Sequence, residues 1–304
     1  MRLILFLFLY PILSTAQVFT SKLKSAEKQE PLGYVNVSIL DKKIGTNTNS
    51  KGEFSLDLEK YKQDSLLISH LGYESKKISI GTLLEQAQEY QEIYLETTYE
   101  VMDEVVLQVK RKKYGSKHRL GLRKKWFSSK IGVQFGMEQA IYIPNEKEKK
   151  GKVEEVSFWV GEQEELFYNS KLTWFRIKFY NYDEDKDEPG ALLSYENLVI
   201  KPDGNTKQQL SIELSKFAIP FLKNGICVVI ETINPNPTEG SDNQFMTYPK
   251  LIYSREKNNR AWMSYRGNNW QHRSKKHRVT KTVLGNEKKF YLTPVVKIKV
   301  RYEK

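Results

Sequence analysis

In several short segments between residues 35 and 95, and in nearly every segment from 131 to the C-terminus, apolar and polar side chains trade places with a period of two. No other feature constrains the fold as tightly, because that period turns alternate side chains onto opposite faces of a strand. Val35, Val37 and Ile39 alternate with Asn36 and Ser38. Phe54, Leu56 and Leu58 alternate with Ser55, Asp57 and Glu59. Leu66 with Ile68, Ile78 with Ile80, and Ile93 with Leu95 supply further strands. Between the first two, Asn49-Ser50-Lys51-Gly52 reads as a turn in which Gly52 takes a positive φ. Gly72-Tyr73 breaks the pattern again. Thr82 to Glu85 fits a capping box and predicts a short helix through Tyr90.

The alternation continues in the second half. Val156, Phe158 and Val160 oppose Glu155, Ser157 and Trp159. Phe175, Ile177 and Phe179 oppose Trp174, Arg176, Lys178 and Tyr180. Leu210, Ile212 and Leu214 oppose Gln209, Ser211 and Glu213, and Val296, Ile298, Val300 and Tyr302 oppose Lys297, Lys299 and Arg301. The expected fold is all-β, with an N-terminal sandwich over 17–109 and a larger, jelly-roll-like β-sandwich over 131–304.

Pro31, Leu32, Val35, Val37, Gly45, Thr46, Thr48, Asn49, Gly52, Phe54, Asp64, Leu66, Gly72 and Tyr73 together resemble one known family. It is the carboxypeptidase-regulatory-like domain of Bacteroidetes envelope proteins, a transthyretin-like β-sandwich. The resemblance covers about a quarter of the chain and implies a fold and a cell envelope, but no reaction. Leu214 to Phe217, Ile219-Pro220 and Gly225 to Glu231 are more weakly similar to β-sandwich domains of the same phylum. Asp103-Glu104-Val105-Val106 resembles the acidic-Val-Val segment that acts as a TonB box in outer-membrane receptors. A plain final strand, with Val105, Leu107 and Val109 on one face, is the competing reading.

At the N-terminus, Met1-Arg2 precedes an apolar run from Leu3 to Leu13, shorter than the roughly 20 residues a bilayer span needs. Ser14-Thr15-Ala16 places small residues before Gln17. Residues 1–16 therefore read as a cleaved signal peptide, leaving no transmembrane segment. The expected location is the periplasm, the outer membrane or the cell surface. A single cysteine, Cys227, excludes an intrachain disulfide. It sits in Ile226 to Ile230, apolar on both faces, and reads as a buried thiol on a central strand.

Ten lysines and arginines fall between 110 and 130 with no acidic residue among them. Such a block reads as a solvated basic linker. The same charge also suits lipid-A phosphates or an acidic polysaccharide. Nucleic acid is not an expected partner for an exported chain.

No catalytic signature emerges. His70, His118, His272 and His277 lack zinc-site spacing, and neither a nucleophile elbow nor a phosphate-binding glycine loop occurs. Asp183, Asp185 and Asp187 invite a calcium reading, but Glu188 stands where an EF-hand needs glycine. That run reads instead as a hairpin loop closed by Pro189-Gly190. No cofactor and no metal are expected.

The expected function is a non-enzymatic binding or structural module of the envelope. A glycan hydrolase with carboxylates on the second sandwich is the alternative. A third reading is an accessory to a TonB-linked outer-membrane protein. One surface is singled out for ligand binding: if their strands are neighbours, Trp159, Trp174, Arg176, Lys178, Lys297, Lys299 and Arg301 share one basic, aromatic face. Such a face suits an anionic glycan, whose rings stack on tryptophan while its charges meet the cations. Arg260 to Arg266 and Trp270 would extend it.

Overall fold

Period-two alternation becomes two units of packed sheets in the computed structural model, which describes residues 18–88, 90–98, 112–125, 128–161, 170–202, 208–237, 246–273, 280–281, 287–288 and 290–304. The signal peptide 1–16, the segment Asp103 to Val109 and His277 lie outside the described residues.

In the N-terminal unit, Val18–Ser25 pairs antiparallel with Glu53–Asp57 and parallel with Glu92–Leu95. A four-stranded sheet runs in the order Gly45–Asn47, Asn36–Ile39, Ser65–Ser69, Lys76–Ser79. Between them lie Leu23, Val35, Val37, Ile39, Phe54, Leu56, Leu66, Ile68 and Ile93, all essentially inaccessible. Burying each such side chain contributes about 1.5–3 kcal/mol. The predicted turn forms as read. Gly52 has φ +80°, and Asn49 Oδ1 accepts from the amides of Lys51 and Glu53 at 2.9 and 3.0 Å.

The predicted helix is displaced. It spans Ile80–Glu85 with Ser79 at its N-cap, so Thr82 lies inside it and is no cap. Ile80 and Leu83, both fully buried, anchor that turn to the core. Packing outweighs the Ser/Thr-x-x-Glu spacing here.

The C-terminal unit is the expected sandwich. Among the described residues a seven-stranded sheet carries Trp174–Asp183, Ile226–Ile233, Met137–Ile143 and Ala261–Tyr265 as consecutive neighbours. An eight-stranded sheet carries Lys250–Glu256, Gly151–Gly161, Val296–Glu303 and Tyr114–Gly121 in that order. Their inner faces meet through Val156, Phe158, Phe175, Ile177, Phe179, Val228, Ile298 and Val300, with Phe158 edge-on to Phe175 at 5.3 Å. Alternation assigned all of these inward except Val228, whose strand is apolar on both faces.

Residues 110–130 depart from the linker reading. Tyr114–Gly121 is a strand at the edge of the eight-stranded sheet, paired antiparallel with Val296–Glu303. Ser129–Ile131 pairs with Lys250–Glu256. Charge repulsion did not prevent pairing, because an edge strand keeps its lysines in water while its backbone joins the ladder. Cys227 is fully buried, and burial pushes its thiol up to about 12. Asp183 to Glu188 forms a hairpin turn between Trp174–Asp183 and Glu188–Leu192, with Asp183 Oδ1 accepting from the amides of Asp185 and Lys186. Among the described residues, no helix is long and apolar enough to cross a membrane.

Candidate functional site

The seven residues singled out for a common face are divided between two faces. Gly151–Gly161 and Val296–Glu303 are neighbours, with Ser157 opposite Lys297 and Glu155 opposite Lys299. Trp159, Lys297, Lys299 and Arg301 therefore share the outer face of the eight-stranded sheet. Trp174–Asp183 pairs instead with Ile226–Ile233 in the other sheet. Its outward residues Trp174, Arg176 and Lys178 look the opposite way, across the core. Parity identifies which side chains point outward, but it does not say which sheet a strand joins.

Nor is the second group a free surface. Asn36 and Ser38, on the polar face of their strand, are buried too, because the N-terminal four-stranded sheet sits on the outer face of the seven-stranded sheet. Arg176 is 1% exposed and Glu231 fully buried, and they pair at 3.1 Å. Lys178 Nζ lies 2.8 Å from both Glu231 and Glu138. Across the joint, Asn36 Nδ2 donates to Glu231 at 2.6 Å, and Arg176 Nη2 donates to the Tyr34 carbonyl at 2.7 Å. Arg266 Nη1 donates to Asn36 Oδ1, while Asn47 exchanges two hydrogen bonds with the Asn234 backbone. Trp174 is wedged between Tyr34 and Lys201.

The charges answer one another. Burial alone would raise the Glu231 carboxyl, but Arg176 and Lys178 outweigh it and hold that group well below the usual carboxylate range. For Glu138 burial prevails over Lys178 and its pKa rises. His70 lies beside this cluster, where burial and then the Arg176 charge lower its imidazole to about 3. It stays neutral and adds no cation. Arg176 and Glu231 thus fasten the two units together through Tyr34 and Asn36, while Lys178 holds Glu231 from within its own sheet.

The outer face of the eight-stranded sheet is open but largely ion-paired. Lys299 pairs with Glu155, and Lys152, Lys117 and Arg301 surround Glu154. Burial would raise Glu154, yet these cations bring it below its ordinary value. Lys124 lies over the Trp159 ring at 4.6 Å. Lys297 has no ion pair among the described residues.

A different grouping emerges at one end of this sandwich. A cleft of about 650 Å³ is bounded by the end of the edge strand, the C-terminal end of Met137–Ile143 and the loop that crosses from Lys250–Glu256 to Ala261–Tyr265. It is lined by Arg119, Arg123, Lys125, Arg255, Lys257 and Arg260, with Glu146 and Glu256 as its carboxylates. Lys125 is committed to Glu256 at 2.8 Å. Arg255 stacks on Phe290 at 4.6 Å. Arg119, Arg123, Lys257 and Arg260 are without an ion pair among the described residues. Unanswered positive charge around a concavity raises the local concentration of anions. In the sequence, half of these cations fall within the expected linker and the others stand unconnected, since three distant segments build the cleft. Arg123 and Arg260 were each visible, but their proximity was not.

Among the described residues, no three His, Cys, Asp or Glu side chains cluster as a metal site would require. No curated protein and no solved structure matches the chain. Residues 20–107 match the family described as CarboxypepD_reg-like domain, which covers the N-terminal unit and identifies that part of the chain as such a domain.

Proposed function

We propose that this protein is an exported, non-enzymatic envelope module whose second sandwich binds an anionic glycan, with the CarboxypepD_reg-like domain as its docked mount. One observation carries the reading: Arg119, Arg123, Lys257 and Arg260 surround a single cleft with no ion pair among the described residues. The net charge of +12 favours the same class of ligand. Trp159 and Lys297, on the adjoining sheet face, offer a ring and a cation along which a longer chain extends. Trp174 is excluded from that surface by its place in the domain joint.

Titration with an acidic polysaccharide tests this. Binding is expected at low salt and should weaken by roughly tenfold or more between 50 and 200 mM, because exposed charges are screened within about 10 Å. The double substitution Arg123→Ala and Arg260→Ala should weaken binding by about tenfold, consistent with the loss of two charge-assisted contacts. Absence of binding by the parent, or affinity indifferent to salt, would remove the proposal.

Export is tested separately by N-terminal sequencing of protein from an envelope fraction. The expected first residue is Gln17, after the small residues Ser14, Thr15 and Ala16. An intact Met1 or a purely cytoplasmic distribution contradicts the envelope assignment.

A further inference from the structure

Resting on the reading that this cleft binds an anionic saccharide, we infer that it recognises a phosphate monoester on that saccharide. The chain contains 11 arginines and 38 lysines, yet four arginines and two lysines line the cleft. Attraction by net charge would not select arginine, since lysine supplies the same unit charge. A guanidinium adds a planar fork of donors that meets two oxygens at once. A phosphate monoester presents three terminal oxygens and about two charges, enough for several forks to share. A carboxylate presents two oxygens and one charge, and a single fork satisfies it.

The side chains differ in how they are held. Arg255 lies over the Phe290 ring, with its guanidinium carbon 4.6 Å from the ring centre, and the ring is an apolar neighbour that takes none of its N–H donors in a conventional hydrogen bond. Arg119, Arg123 and Arg260 are exposed and unpaired among the described residues. Lys125 already neutralises Glu256, so that carboxylate does not repel an incoming anion. Glu146 has no cation on it among the described residues and opposes anion binding from the rim. The lysine-rich outer face differs: its Glu154 and Glu155 already engage Lys117, Lys152, Lys299 and Arg301.

Calorimetric titration of the mature chain at moderate salt compares a phosphorylated oligosaccharide, the same oligosaccharide carrying a sulfate ester, and an oligouronate. The phosphorylated form should bind at least tenfold more tightly than either. Arg119→Lys and Arg260→Lys keep the charge and remove the fork. Each should weaken phosphate binding by fivefold to tenfold while changing oligouronate binding less than twofold. Glu146→Gln should tighten phosphate binding. All three positions are away from the core, and unchanged unfolding midpoints would confirm the fold of each variant. Equal affinity for the three ligands, or Arg→Lys variants that bind phosphate as the parent does, overturns the phosphate assignment while the anion-binding function stands. Capture by phosphatidic acid vesicles without binding of the soluble phosphorylated oligosaccharide also overturns it. A parent that binds none of the anions removes both this inference and the proposed function.

Discussion

Glu231→Ala should cost about 3–5 kcal/mol of folding stability, the range for removing one partner from a buried ion pair. Glu231 is fully inaccessible and receives Arg176, Lys178 and Asn36 together. Without it Arg176 retains only neutral acceptors among its described contacts, Asn197 Oδ1 and the Tyr34 carbonyl. Lys178 keeps Glu138. The joint between the two units therefore holds an arginine charge with no counter-ion. Urea unfolding should show one cooperative transition for the parent and two for the variant, as the N-terminal domain comes loose before the larger sandwich melts. A loss below about 1 kcal/mol with a single transition would mean that the ion pair does not fasten the domains. Replacing Arg176 and Glu231 together by methionine should recover much of the loss, because removing both charges also removes their desolvation cost.

The pH dependence carries a sign. Glu231 has a folded pKa below its ordinary 4.5, so its contribution is present above that value and is lost as pH falls through and below it. Glu138 is shifted upward and works in the opposite sense, which blunts the acid sensitivity of the parent. The stability gap between parent and Glu231→Ala isolates the first effect. It should narrow as pH drops below about 4.5.

Alternation exposed most of the fold and little of its arrangement. Val37, Leu56, Phe158, Ile177 and Ile298 were all assignable inward because burial enforces a period of two. Asn36 and Arg176 show where the same rule stops. Both have outward parity, and both are buried, because an outward face with regularly placed amides and charges is also a surface on which another domain can sit. Nothing in the local pattern distinguishes a solvated polar face from a docked one. The edge strand was hidden for a related reason: Lys117 and Arg119 mark solvent exposure, which a linker and an edge share. For the cleft, Arg119, Arg123 and Arg260 were legible one at a time, but strand order brings them together with Arg255.

Gly136→Ala should destabilise the chain by about 2.5–5 kcal/mol, through a cost on the backbone and a lost contact at the joint. Gly136 has φ +78°, a conformation that an L side chain resists by about 1–2 kcal/mol. A Cβ there would stand 2.4 Å from Arg266 Nε and 2.6 Å from its Cζ. The Arg266 side chain cannot simply swing aside. It is fully buried, donates to Tyr265 Oη and Asn36 Oδ1, and its own amide is held by the Gly136 carbonyl at 2.9 Å. Displacing it breaks a charge-assisted hydrogen bond across the domain joint, which adds about 1.5–3 kcal/mol. A double-mutant cycle separates the two causes. In an Arg266→Ala background the steric conflict is gone, so Gly136→Ala should cost only the backbone contribution of about 1–2 kcal/mol. If the substitution costs the same with and without Arg266, the guanidinium is not what the missing side chain at residue 136 makes room for, and its role at the joint must rest on Asn36 alone.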